Sequence, residues 1–194
     1  MLRFHMDITT ALLVAAQAFW FMFPGYAVNS LAVLVGGGTP MDFGKNFRDG
    51  RRILGDGKTW RGFIGASLLG TGIGLIEQFA ASYYPNPYLP PYSASTTTAL
   101  LLCLTLCFGS MTGDAIGSFI KRRLGYERGD KAFLLDQFGF VLFSWLLLAL
   151  FFWEWFATHF LNLPAVIMVL IVTPLLHRGI NIVGYKLGKK KVPW

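Results

Sequence analysis

Residues 8–35 read Ile8-Thr-Thr-Ala-Leu-Leu-Val-Ala-Ala-Gln-Ala-Phe-Trp-Phe-Met-Phe-Pro-Gly-Tyr-Ala-Val-Asn-Ser-Leu-Ala-Val-Leu-Val35 and contain no Lys, Arg, Asp or Glu. A helix needs about 20 mainly apolar residues to cross a hydrocarbon core, and this run exceeds that. Ala16-Gln17-Ala18 is similar to a signal-peptide cleavage site, but the apolar stretch continues far beyond it, which fits a membrane anchor better. Pro24-Gly25 inside the run is expected to kink or break the helix.

Working outward, four more stretches have the same character. They lie at about 62–82, 99–120, 138–160 and 164–184, interrupted only by Glu77, Asp114, Glu154 and Arg178. Spans must be helices or closed barrels, and runs of this length are helices. The expected fold is therefore an all-α polytopic membrane protein of five transmembrane helices, with residues 1–194 forming one integral-membrane domain. Composition agrees: of 194 residues 54% are hydrophobic and only 14% charged, which excludes a disordered chain and disfavours an ordinary soluble globule. Two cysteines are too few for a disulfide scaffold or a thiolate zinc site. Cys103 and Cys107 share a helix face and are expected to pack.

Charge sets the orientation. Of the 17 Lys and Arg residues, all but Arg3 fall in the segment 36–61, in the segment 121–137, or at and beyond Arg178. The positive-inside rule places those segments in the cytoplasm, with the N-terminus outside and the C-terminus inside. The connection 83–98 has no formal charge and holds four prolines among its tyrosines; it reads as an interfacial aromatic segment. Glu77 and Glu154 lie near the outer ends of their spans and are expected to reach water.

The cytoplasmic loop 36–61 carries glycines at 36, 37, 38, 44, 50, 55 and 57 among its basic residues. Topology alone needs the charge but not the glycines, whose backbones can approach an anion closely. Gly57-Lys58-Thr59 is similar to the end of a Walker A loop, but Arg52 stands where that pattern needs its first glycine, and no strand precedes it. A phosphate cradle survives this reading; a P-loop does not.

The second basic segment, Lys121-Arg-Arg-Leu-Gly-Tyr-Glu-Arg-Gly-Asp-Lys131, read alone is either an anchor for anionic headgroups or part of a site. The helix feeding it decides. Gly109, Gly113 and Gly117 recur every four residues and line one helix face, where small residues let another helix approach. Asp114 lies seven residues before Lys121, about 10 Å deeper at 1.5 Å per residue. An ionised carboxylate at such depth costs about 2.5–3.5 kcal/mol even on insertion scales. One account is a protonated Asp114 bonded to Ser110 or Ser118. The other is a partner. The midpoint of 114 and 136 is Gly125, so Asp114 and Asp136 should stand level on an antiparallel hairpin, on axes about 8–10 Å apart. Two carboxylates under a basic rim suit Mg2+, which keeps its remaining positions for water and substrate phosphates.

Residues Arg48-Asp-Gly-Arg-Arg-Ile-Leu-Gly-Asp-Gly-Lys-Thr-Trp-Arg-Gly62 resemble the first-loop signature of archaeal CDP-archaeol synthases. Gly113-Asp114, Ser118-Phe-Ile-Lys-Arg-Arg123, Arg128-Gly-Asp-Lys131 and Leu135-Asp-Gln137 resemble their second block, itself similar in placement to that of CDP-diacylglycerol synthases. The Pro-Gly-His-Gly-Gly run of the latter is missing, which favours the archaeal branch. The resemblance implies a CTP-dependent cytidylyltransferase in membrane phospholipid biosynthesis. It would join CTP to 2,3-bis-O-geranylgeranylglycerol 1-phosphate, releasing pyrophosphate. Asp114 and Asp136 are assigned to Mg2+ and, with Lys121, Arg122 and Lys131, to catalysis. Asp56, Gly57, Lys58, Thr59, Ser118 and Asp130 are assigned to CTP, and Asn29 and Arg178 are candidates for the lipid phosphate. His177, beside the Thr173-Pro174 break, is a further group that could reach a phosphate. Expected partners are CTP, the membrane-embedded isoprenoid ether phosphate and the bilayer, with no nucleic acid. The competing class is a small transporter or ion-coupled channel using Asp114. A CDP-alcohol phosphotransferase is disfavoured because Asp49-Gly50 is followed by Arg-Arg-Ile-Leu rather than by that family's pattern.

Overall fold

The computed structural model describes residues 7–127, 130–186 and 188. Arg3, Arg128 and Lys189 to Lys191, which entered the charge count, lie outside the described residues. Among the described residues six helices follow in order: α1 (Ile8–Val35), α2 (Trp60–Tyr83), α3 (Thr96–Arg123), α4 (Phe133–Phe151), α5 (Trp153–Phe160) and α6 (Leu163–Lys186). Five of them, all but α5, are long and apolar enough to cross a membrane. Among the described residues there is no strand, only isolated bridges at Pro40–Thr59 and Asn46–Arg52. The protein is an all-helical, multi-pass membrane protein.

Three helices begin at side chains that accept from an otherwise unpaired N–H group: Asp7 for α1, Thr59 for α2 and Ser95 for α3. The glycine face of α3 packs directly on α4. A Cβ on Gly109 would lie 2.7 Å from the Ser144 Cα, and one on Gly113 would lie 2.7 Å from the Phe140 Cα. Only glycine lets these backbones meet, as small-residue interfaces require. Cys103 and Cys107 are buried and pack, against Gly74 and Gly70 of α2.

Three expectations need correction. The span expected at 138–160 is two helices, because Phe152 is non-helical (φ −140°, ψ 51°). Phe152 gives its N–H to the Leu148 carbonyl and accepts from the Phe156 N–H, ending one helix and starting the next. The break turns Phe156 and Phe160 inward, against Trp145 and Trp155. Because α4 begins at Phe133, Asp136 stands in a first helical turn rather than in the loop 121–137. Secondly, neither proline breaks its helix: α1 runs unbroken through Pro24-Gly25 to Val35, and α6 runs through Thr173-Pro174 to Lys186. The Trp20 carbonyl, deprived of its usual donor by Pro24, lies 3.4 Å from the Tyr92 hydroxyl. Thirdly, Glu77 does not reach water. It is buried and accepts from the Tyr92 hydroxyl at 2.7 Å, while neighbouring Gln78 accepts from the Tyr92 N–H. The aromatic connection is thereby folded into the bundle at Tyr92, although Tyr83 and Tyr84 stay exposed as interfacial residues do.

Candidate active site at the basic end of the bundle

The first loop is ordered around a buried carboxylate whose importance the sequence did not signal. Asp42 is 5% exposed and accepts from the Leu54, Gly55 and Gly44 N–H groups. It also takes a forked pair from Arg52, at 2.7 and 3.2 Å. Burial alone would raise its pKa, but the guanidinium and the three N–H groups hold Asp42 well below the ordinary carboxylate range. Gly55 adopts φ 94°, the turn that aims its N–H at Asp42. Backbone bonds from Met41 to Lys58 and from Trp60 to Thr39 then lay residues 58–60 beside 39–41. Arg61 closes the end of α1 by donating to the Val35 and Gly36 carbonyls.

A reciprocal pair of arginines joins this loop to α3. Arg51 donates to the Arg122 and Arg123 carbonyls at 3.3 and 3.2 Å. Arg123 returns bonds to the Arg51 and Arg52 carbonyls at 3.2 and 2.6 Å and pairs with Asp49 at 3.2 Å. Its guanidinium also lies against both the Phe47 and Phe119 rings, 4.7 and 5.1 Å from their centroids. Arg51 stands against Gly125, whose φ of 86° makes the turn after α3. Arg51, Arg52, Arg61 and Arg123 thus shape the loops rather than face a ligand.

The loop that these contacts hold forms one wall of a cavity of about 630 Å3. Asp56, Gly57, Lys58 and Thr59 of the first loop line it, with Asp114 of α3, Asp136 of α4 and Asn29 of α1. Asp114 and Asp136, expected to stand level on the hairpin, both line this one cavity. Each holds a lysine. Lys58 Nζ pairs with Asp114 Oδ2, and Lys121 Nζ donates to Asp136 Oδ1 at 2.5 Å. The second Asp136 oxygen accepts from the Ala132 N–H at 2.9 Å. Asp114 is therefore bonded to neither Ser110 nor Ser118: Ser110 donates to the Gly25 carbonyl and Ser118 is buried in the α3 packing face. Thr59 Oγ1 accepts from the Gly62 N–H, so it caps α2 as well as lining the cavity. Asp56 accepts from Arg52 at 2.6 Å.

Other expected site residues stand elsewhere. Arg122 turns to the Tyr126 carbonyl at 2.8 Å, and Asp130 accepts from the Glu127 N–H at 2.6 Å. Lys131 and Arg178 are exposed, and neither these two nor Lys121, Arg122, Asp130 and Ser118 are among the residues lining the cavity. In place of Arg178, α6 presents Thr173, His177 and Asn181 to the cavity. Their signal in the sequence is the spacing of four residues, which puts them on one face. At the deep end Tyr26 and Thr173 close the gap between α1 and α6 with hydroxyl oxygens 3.0 Å apart.

Among the described residues no group of three or more His, Cys, Asp or Glu side chains forms a ready metal cage. Two carboxylates on one cavity still fit a hard cation of the Mg2+ type, which protein commonly holds through one or two carboxylates while phosphates complete its shell.

Comparison with known proteins accords with this geometry. The family model for CarS-like CDP-archaeol synthases matches residues 10–194. The CDP-archaeol synthase of Pyrococcus horikoshii is 49% identical over 180 residues, covering 92% of this chain and 96% of that protein. That of Methanospirillum hungatei is 49% identical over 173 residues, covering 89% of this chain and all of its own length. A solved intramembrane enzyme for archaeal membrane lipid biosynthesis superposes with a TM-score of 0.66 at 31% identity, covering 91% of this chain and 95% of its own. A helical bundle with a loop-roofed, two-carboxylate cavity at its basic end, matched along nearly its whole length in this way, belongs to the CDP-archaeol synthase family of membrane enzymes.

Proposed function

We propose that this chain, working as one integral-membrane unit, transfers CMP from CTP to 2,3-bis-O-geranylgeranylglycerol 1-phosphate, giving CDP-archaeol and pyrophosphate. The basic end of the bundle faces the cytoplasm, where CTP is supplied. The observation that carries this reading is the shared cavity. A glycine-rich loop with Lys58 meets Asp114 and Asp136 there, between helices that continue into the apolar bundle.

The lipid phosphate is already an anion and needs no general base to attack the α-phosphorus of CTP in line. Catalysis is then positioning and charge neutralisation. Lys58, which lines the cavity, would swing its ammonium group from Asp114 to the triphosphate, and Lys121, paired with Asp136 outside the cavity lining, would help neutralise the departing pyrophosphate. Gly57 supplies backbone that can approach a phosphate closely, and Asp56 is the loop group available to the nucleotide's hydroxyl or amino donors. Asp114 and Asp136 would hold Mg2+, which when bound neutralises and orients the phosphates. The isoprenoid tails stay in the bilayer while the headgroup meets CTP.

Transport is less well supported. The cavity ends at the Tyr26–Thr173 contact, and beyond it Phe21, Tyr92, Trp155 and Phe160 fill the bundle. The test uses purified protein with Mg2+, an ether-lipid phosphate and each of the four nucleoside triphosphates in turn. Pyrophosphate release with CTP alone supports the reading. No release with CTP overturns it.

A further inference from the structure

The cavity has two chemically different walls. The loop wall carries Lys58 and the backbone of residues 56–59. The part of the lining made by α1 and α6 has no Lys, Arg, Asp or Glu but presents Asn29, His177 and Asn181. Polar side chains within apolar spans are costly and mark function by default. Asn181 makes the point sharply: α6 is the most exposed of the five long helices, yet this amide is only 2% exposed. Asn181 Nδ2 lies 3.4 Å from the His177 ring nitrogens one turn away, and Asn29 Nδ2 lies 3.5 Å from Ser110 Oγ.

Between these groups and the bilayer stand Val33 and Leu34 of α1 with Ile180 and Val183 of α6. Each lines the cavity and is also exposed, Leu34 at 65% and Val183 at 55%, so each sits on the rim. The rim is therefore apolar on its lateral side and opens between α1 and α6. A ligand passing there must be apolar below and polar at its tip.

We propose that His177 and Asn181, with Asn29 facing them, form the subsite for the phosphate-bearing glycerol end of the lipid substrate, admitted sideways between α1 and α6. This rests on the cytidylyl-transfer reading and adds the recognition of its second substrate. Side-chain N–H donors suit this end, because they bond phosphate oxygens directly. The lysines remain with the nucleotide, and the two substrates approach Asp114 and Asp136 from different walls.

The test separates the two Michaelis constants in detergent-purified full-length protein. His177→Ala and Asn181→Ala are each expected to raise KM for a glycerol-diether phosphate by about tenfold, the worth of one hydrogen bond to a charged group, while KM for CTP stays within about twofold. His177→Gln, which keeps a donor of similar reach, should recover most of the loss. A second readout is thermal stabilisation of CTP-free protein by the diether phosphate against the same diether without phosphate. The phosphate-dependent part should vanish in His177→Ala while stabilisation by Mg2+–CTP persists. An unchanged lipid KM, or equal rises in both constants in a variant that melts like wild type, overturns the subsite. Failure of the cytidylyl-transfer reading looks different, since wild-type protein would then release no pyrophosphate.

Discussion

Lys58 and Asp114 are 56 positions apart in the chain, yet their side chains form an ion pair across the roof of the cavity. The pair ties a soluble-side loop to a carboxylate on a membrane helix, and both groups are partly open to the cavity. Partial exposure makes it a weak stabilising contact. A lysine so placed can leave Asp114 for a phosphate at little cost.

Lys58→Ala should therefore disable catalysis with little effect on folding. Losing one preorganised charge against a triphosphate typically costs about 100- to 1,000-fold in turnover. Steady-state kinetics with CTP varied would check this, and near-normal kinetics would return the first loop to a topological role.

Gly113→Ala is expected to be far more disruptive than its size suggests. The added methyl would stand 2.7 Å from the Phe140 Cα on α4, where no side chain can move aside. Overpacking of this kind costs about 1–3 kcal/mol or more, and relief requires α3 and α4 to separate, carrying Asp114 away from Asp136. Gly72→Ala is the control. Nothing lies within 4 Å of its new Cβ, so melting temperature should hold or rise. Thermal melts of the two variants in detergent give the comparison.

Arg123→Ala should loosen the first loop although Arg123 faces no ligand. The change removes bonds to the Arg51 and Arg52 carbonyls, the Asp49 pair and the cation–ring contacts with Phe47 and Phe119. Arg123→Lys cannot restore the planar fork. Both variants should show faster protease cleavage within residues 45–53 and a raised KM for CTP; wild-type cleavage in both would contradict the clamp.

Acid should leave the first loop ordered further than an ordinary carboxylate allows. Asp42's folded pKa is depressed, so its contribution is complete above the unfolded value near 3.8 and is lost only as pH falls through the lower folded value. Arg52→Gln removes the fork and raises that folded value. Its acid midpoint for loop order, read by protease resistance, should therefore move up relative to wild type. Identical midpoints would show that Arg52 does not hold the carboxylate.

The spans and the basic end were legible because each rests on a local signal, run length or charge asymmetry; hairpin symmetry about Gly125 pointed to Asp114 and Asp136, and both line one cavity. What escaped depends on contacts between distant segments. Arg51, Arg52, Arg61 and Arg123 read as positive charge, and only the folded loops reveal that their partners are carbonyls and aspartates. Asp42 gave no signal because a buried hub leaves no mark on composition. Glu77 looked close to water because span depth says nothing about Tyr92 folding back over it. The break at Phe152 follows no proline or glycine; it is imposed by aromatic packing at the far end of the bundle.

The most direct test of the central claim compares wild type with Asp114→Asn and Asp136→Asn for pyrophosphate release from CTP in the presence of Mg2+ and an ether-lipid phosphate. Wild type should turn over and stop when EDTA removes the cation. Both variants should fall below detection while melting near the wild-type temperature. Turnover at the wild-type rate by either variant would contradict the two-carboxylate site.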